Sequence, residues 1–208
     1  MINLKFARKA CLAILLGFPL LAAAGAHSTE TMVRDLDVYY EKEGVSLADY
    51  DSILIDTLGL DDARIVAPPW IDDEDGGPKK WALTNSDAKW LRKSYREAMR
   101  EEIEANSGFT IVDEPAEGVL MLDIEIIYLM PYARKGDKVT TRGFGEMLVQ
   151  AQFRDAMTGE LLGVYEGKQD VGSEYQQNTR LNNENSLRDL FQYWGARVRQ
   201  IMDEAHNP

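Results

Sequence analysis

Val119–Leu129, VLMLDIEIIYL, is the longest run in the sequence that reads as a strand. Side chains alternate across a strand, so Leu120, Leu122, Ile124 and Ile126 share one face. Met121, Asp123, Glu125 and Ile127 share the other. One face is wholly apolar and the other carries two carboxylates. A strand so patterned belongs in a sheet with one face on a core and the other partly in water. The rest of the chain must therefore supply an apolar surface to cover the first face.

The best candidate for that surface lies near the C-terminus. Leu187, Leu190, Phe191, Trp194, Val198, Ile201, Met202 and Ala205 recur mostly at steps of three and four, the spacing of an amphipathic helix. Its predicted start is near Ser186, with Asn185 or Ser186 as cap. An earlier helix is predicted over Asp87–Asn106. Thr84-Asn85-Ser86-Asp87 provides its caps and a favourable acid, Leu91, Tyr95, Ala98, Met99 and Ile103 form its apolar stripe, and Asn106-Ser107-Gly108 stops it.

The other strands follow from alternation and turn chemistry. Tyr50–Leu58 places Ile53 and Ile55 on one side and Leu54 and Leu58 on the other, which suits a position inside a sheet. Phe109–Asp113 is a short strand, and Glu114-Pro115-Ala116-Glu117-Gly118 is expected to turn the chain into an antiparallel return along Val119–Leu129. Glu146–Arg154 points Met147, Val149, Ala151 and Phe153 inward. Asp155–Glu160 is a tight turn, with Asp155 placed to bond turn amides and Gly159 free to take the left-handed conformation. Leu161 to about Lys168 is its partner, with Gly163 and Gly167 allowing a bulge. The order β-α-β-β-β-β-α predicts an α+β domain: a mostly antiparallel sheet of about five strands with both helices on one face. Residues 46–208 form this domain, and 27–45 form an extended arm in which Leu36, Val38 and Tyr40 alternate.

The first thirty residues carry a different signal. Lys5, Arg8 and Lys9 precede an apolar run from Ala10 to about Ala24, and Ala24-Gly25-Ala26 supplies the small residues of a cleavage site. This is the pattern of a secretory signal peptide spanning 1–26, cut after Ala26. The run is short for a retained membrane anchor. The expected location is the periplasm, with no transmembrane segment left after cleavage. Cys11 sits at the start of the apolar run instead of just after it, so it is not read as a lipidation site.

Cleavage leaves 182 residues with 20 basic and 35 acidic groups, a net charge of −15, since the leader holds three bases and no acid. So acidic a chain repels nucleic acid, and no nucleic-acid partner is expected. Cys11, the single cysteine, leaves with the leader, which excludes disulfides, thiol nucleophiles and thiolate metal sites from the exported chain. The two histidines, His27 and His206, lie at opposite ends, so a histidine-based triad or zinc site is not expected. No cofactor is implied.

Charge is unevenly spread among the loops. If the first helix is a crossover and the later strands alternate, three loops share one end: Gly59–Leu83, Glu114–Glu117 and Asp155–Glu160. That end is acidic. The loops Pro131–Gly145 and Val171–Asn185 share the other, which collects Tyr132, Arg134, Lys135, Lys138, Arg142, Tyr175 and Arg180 beside several amides. On an acidic protein such an end suits an anionic or glycan partner. Within the long Gly59–Leu83 connection, Asp72–Asp75 invites a calcium reading, but EF-hand spacing fails: aligning Gly76 with the loop glycine puts Ile71 and Ala82 at ligand positions. Trp70 and Trp81 are expected to pin this connection to the body. Asp123 and Glu125 are the carboxylates that a glycan hydrolase would use.

The Tyr50–Leu58 strand, Phe109–Val119 (FTIVDEPAEGV), the DAMTGE turn at Asp155–Glu160 and the Trp194-containing helix together resemble a domain-of-unknown-function family of Gram-negative cell-envelope proteins, many of them lipoproteins. The resemblance implies an envelope location and brings no activity or site residue with it. The expectation is a non-enzymatic binding or assembly module whose partner is an envelope protein or glycan. The alternatives are a carboxylate-dependent hydrolase of envelope glycans and a homo-oligomeric structural subunit.

Overall fold

The computed structural model describes residues 36–71 and 82–207. The leader, its cleavage site, Cys11, the arm before Leu36, Asp72–Asp75 and Trp81 lie outside the described residues.

Among the described residues, nine strands and two α-helices follow in the order β1 (Asp37–Glu41), β2 (Ser52–Ile55), β3 (Arg64–Ile65), α1 (Asn85–Glu104), β4 (Thr110–Val112), β5 (Val119–Pro131), β6 (Thr140–Arg142), β7 (Gly145–Asp155), β8 (Leu161–Val171), β9 (Tyr175–Gln177) and α2 (Arg180–His206). Seven strands form one mixed sheet in the order β1-β8-β7-β5-β2-β4, with β3 also on β5; β6 and β9 form a separate ribbon. The domain is α+β as expected, but the sheet is neither five-stranded nor mostly a run of hairpins.

The long strand behaves as its pattern requires. Leu120, Leu122, Ile124 and Ile126 are buried in the same core as Leu91, Tyr95, Ala98, Met99 and Ile103 of α1 and Leu187, Leu190, Phe191, Trp194, Val198 and Met202 of α2. Both helices therefore cover one face. Each large side chain so buried contributes ~1.5–3 kcal/mol. Trp194 adds a directional tie: its Nε1 donates to Oε1 of the buried Gln169 on β8 at 3.3 Å.

The parallel pairing is the main departure. β4 does not turn back into β5 as a hairpin. Both strands run parallel to β2, one on each side of it, with Ser52 level with Thr110 on β4 and Val119 on β5. The reason lies in β2 itself. Ile53 and Ile55 are buried in the core, and a β4–β5 hairpin would leave one edge of this strand unpaired. Inserting β2 between them pairs both of its edges. The Glu114–Gly118 segment then crosses over the start of β2, where the Gly118 carbonyl accepts from the Asp51 amide at 3.0 Å and Gly118 holds φ +74°.

A second consequence concerns the connection after β2. Gly59 bridges to Glu125, and β3 pairs with Tyr128 and Leu129, so the chain climbs along β5 toward the end where β5 finishes. The Gly59–Leu83 connection thus reaches the Pro131–Gly145 end, not the end of the Glu114–Glu117 and Asp155–Glu160 turns. The latter two do share an end: the Ala156 amide donates to the Val119 carbonyl at 3.0 Å. Trp70 lies 5.6 Å, ring to ring, from Tyr132.

Two further expectations change. Asp37–Glu41, placed in the arm, is a strand of the main sheet, antiparallel to β8 with a bulge between Val38 and Tyr40. The last helix begins at Arg180, with Thr179 as cap accepting from the Asn182 amide at 3.2 Å. Three asparagines in its first turns, poor helix formers, hide this start in the sequence.

Candidate functional site

The starts of α1 and α2 come together at the end where β5 finishes. At α1, the Thr84 hydroxyl accepts from the Asp87 amide at 3.2 Å and the Asp87 carboxylate accepts from the Thr84 amide at 3.0 Å, a reciprocal cap. At α2, Thr179 plays the capping part alone. Between them lies a cavity of about 420 Å³. Its apolar lining includes Leu91, Leu129 and Leu187, all buried, together with Trp90 and Phe144. Its polar lining includes Asp87, Lys135, Asn178, Arg180, Asn183 and Glu184. The size and mixture fit a small-molecule or side-chain pocket.

The charges around it are coupled in pairs. Lys135 Nζ lies 3.1 Å from Asp87 Oδ2, and Arg180 Nε lies 2.6 Å from Glu184 Oε1. Partial burial resists ionisation of Asp87, but the hydrogen bonds from Thr84 and the Lys135 ammonium outweigh it and hold the carboxyl below its ordinary range. The amides are fixed by the backbone. Asn178 Nδ2 donates to the carbonyls of Arg134 at 2.9 Å and Asp137 at 3.0 Å, so its Oδ1 is left to accept from Asn183 Nδ2 at 2.9 Å. That chain ties the Pro131–Gly145 loop to the first turn of α2.

Of the residues singled out in the sequence, Lys135 and Arg180 line this cavity. Arg180 is the first residue of a helix and not part of a loop. Tyr132 packs against Trp70 beside it. Arg134 gives its carbonyl to Asn178. Arg142 and Tyr175 belong to the β6–β9 ribbon, where they face each other across the ladder; Arg142 Nε donates to the Ser173 carbonyl at 3.0 Å, and Tyr175 is 80% exposed. Lys138 is exposed and makes no ion pair among the described residues. The basic set is thus drawn to one end, but the cavity selects two of its members and adds Asp87, Trp90 and Glu184, which sequence reasoning placed only as helix residues or passed over. Only the meeting of two helix starts makes them neighbours, and no local spacing reports that.

Asp123 and Glu125 point to the sheet face away from the helices, opposite Gln152 and Gln150 of β7. On this face Arg154 Nη2 donates to Gln152 Oε1 at 2.6 Å, Gln152 to Gln150 at 2.8 Å, and Gln150 to Glu166 at 3.1 Å. Partial burial and the nearby Asp56 carboxylate raise the Asp123 pKa, with Arg154 opposing them. The carboxylate nearest in influence is therefore Asp56, not Glu125. No group of three or more histidine, cysteine or acidic residues is placed to hold a metal ion among the described residues. No described helix is long and apolar enough to cross a membrane.

A family model described as "Protein of unknown function (DUF3313)" matches residues 27–198. The chain belongs to this family. The resemblance seen in the strands, the DAMTGE turn and the last helix is thereby confirmed as membership of a domain-of-unknown-function family. No curated protein matches this DUF3313 sequence. Among solved structures it is similar to protein XCC0632 from Xanthomonas campestris, of family DUF330, at 10% identity and a TM-score of 0.42, over 83% of this chain and 97% of that one. It is also similar to the PelC dodecamer from Paraburkholderia phytofirmans, at 10% identity and a TM-score of 0.38, over 79% of this chain and 96% of that one.

Proposed function

We propose that this DUF3313 chain is an exported, non-enzymatic binding module of the cell envelope. It engages an envelope protein or glycan at the end where α1 and α2 begin. The observation that carries the reading is the 420 Å³ cavity in which Lys135 and Arg180 meet an apolar lining. A leader-like N-terminus and an acidic exported chain support delivery to the envelope. Against a strongly negative surface, two cations at one concave site give an anionic or hydroxylated partner a preferred landing point.

The cations are held without being neutralised by burial. Lys135 and Arg180 are themselves exposed, while the acids they pair with, Asp87 and Glu184, are partly buried. A ligand group arriving from solvent can therefore reach both cations and compete with those acids for them. The test is crosslinking in intact cells with the full chain and with Lys135→Glu and Arg180→Glu combined. Loss of a crosslinked envelope partner, with an unchanged melting temperature, is the expected result. Unchanged recovery overturns the reading.

A further inference from the structure

The two edges of the main sheet are built differently. β4 is three residues long and ends two residues before Glu114-Pro115, a short edge of the kind that resists pairing with other chains. β1 is five residues long, every one of them exposed, and its sequence DVYYE contains no proline or lysine. Val38 is 60% exposed and Tyr39 80%. β8 pairs one edge of β1, and among the described residues nothing pairs the other. Such an edge presents a row of backbone N–H and C=O groups that an added strand would satisfy.

Beside this edge lies a second cavity, of about 280 Å³, on the helix side of the sheet. Val38 and Glu41 of β1 line it together with Phe153, Tyr165, Arg197 and Val198, so the inward side of β1 opens onto a largely apolar hollow under α2 that also carries one acid and one base. A strand laid along β1 would send alternate side chains toward this hollow and the rest toward the open face. An unpaired edge beside an apolar pocket for alternate side chains is the arrangement that recognises an extended peptide.

The charges decide what kind of strand. In an antiparallel self-pairing centred on Tyr39, Asp37 would face Glu41 of the second copy, and in a parallel in-register one each acid would face itself. Like charges directly opposite destabilise a ladder. A different chain with basic residues flanking an apolar centre meets the same edge with complementary charge.

We propose that β1 is a strand-addition site for a second protein, taking an extended segment with alternating apolar residues and a basic residue at each end. This surface is separate from the cavity between the helix starts. The experiment uses the full mature chain and immobilised synthetic ten-residue peptides. One set alternates valine and threonine between flanking lysines; the control set has the same residues with a central proline. The expected result is saturable binding to the first set, at least tenfold weaker binding to the control, and a loss of tenfold or more in Val38→Lys and in Tyr39→Pro. The Val38→Lys variant keeps the backbone intact, so it decides the matter if Tyr39→Pro disturbs the sheet. No saturable binding, or binding that survives Val38→Lys, overturns the proposal. So does concentration-dependent self-association that Val38→Lys abolishes, because the occupant would then be a second copy.

Discussion

Gly195 and Met99 bring the two helices together at backbone distance. A Cβ placed on Gly195 would lie 3.1 Å from both the Cα and the carbonyl oxygen of Met99, and 2.8 Å from the Cβ of Glu102. The α1–α2 crossing is close because one residue there lacks a side chain. Everything above this layer depends on it, since both helix starts, and hence the cavity between them, are positioned by how α1 and α2 cross.

Gly195→Ala is therefore expected to destabilise the fold. Alanine improves helix propensity by about 1 kcal/mol, but overpacking a close contact costs about 1–3 kcal/mol. The neighbouring atoms at Met99 are main chain and cannot rotate away. A net loss of about 1 kcal/mol is expected in chemical denaturation, with Gly195→Leu far worse. A variant as stable as wild type would show that the helices separate without cost.

Gly195 also marks where sequence reading stops. The stripe through Leu187, Leu190, Phe191, Trp194, Val198 and Met202 was legible because apolar residues at helical spacing report a buried face. A glycine inside that stripe reports nothing by itself; its meaning comes from Met99 on another element. The same limit applies to the sheet. The inward alternation of β5 and β7 was legible to the residue, but Val119–Leu129 has the same pattern whether its neighbour is parallel or antiparallel. The choice came from the need of β2 for two partners. At the candidate site, Lys135 and Arg180 were visible as charges, while Asp87 and Trp90 became part of it only when two helix starts met.

Tyr95 carries a polar group in the wrong place for stability. Its side chain is fully buried, its ring makes an edge contact with Phe191 at 5.7 Å, and its hydroxyl has no hydrogen-bond partner among the described residues. Burial drives the hydroxyl pKa far up, so it stays neutral. An unsatisfied buried group costs about 1–3 kcal/mol. Tyr95→Phe keeps the ring and removes the orphan, so stability should be unchanged or higher by about 1 kcal/mol. A loss larger than about 1 kcal/mol in urea unfolding would reveal a partner for the hydroxyl.

The Asp155–Glu160 turn predicts an acid dependence. Asp155 Oδ1 accepts from the Thr158 amide at 2.7 Å and its hydroxyl at 2.9 Å, and these bonds hold the carboxyl below its ordinary pKa. A depressed folded-state value means the contribution is complete above the unfolded value, about 3.9, and disappears as pH falls through the folded one. Asp155→Asn retains an acceptor oxygen without charge. The stability gap between wild type and variant should be constant near neutrality and close below about pH 4. A gap independent of pH throughout that range would assign the turn's stability to shape alone.

Tyr165 predicts the opposite limb. Burial first, and then the hydrogen bond it donates to Glu41 Oε1 at 3.0 Å, push its pKa from 10.0 up to about 12. A raised folded-state value means that its contribution is complete below pH 10.0 and is lost as pH climbs through about 12. Ionisation would also set a phenolate against the Glu41 carboxylate, and that contact is a side-chain tie from β8 to β1. Amide exchange should show β1, paired on one edge among the described residues, opening over this alkaline interval ahead of β5 and β7, which are paired on both edges. Tyr165→Phe removes the titrating group, so its β1 should exchange faster at neutral pH and show a smaller further rise between pH 10.0 and about 12. If wild type and variant show equal alkaline increases in β1, some group other than the Tyr165 hydroxyl controls that edge.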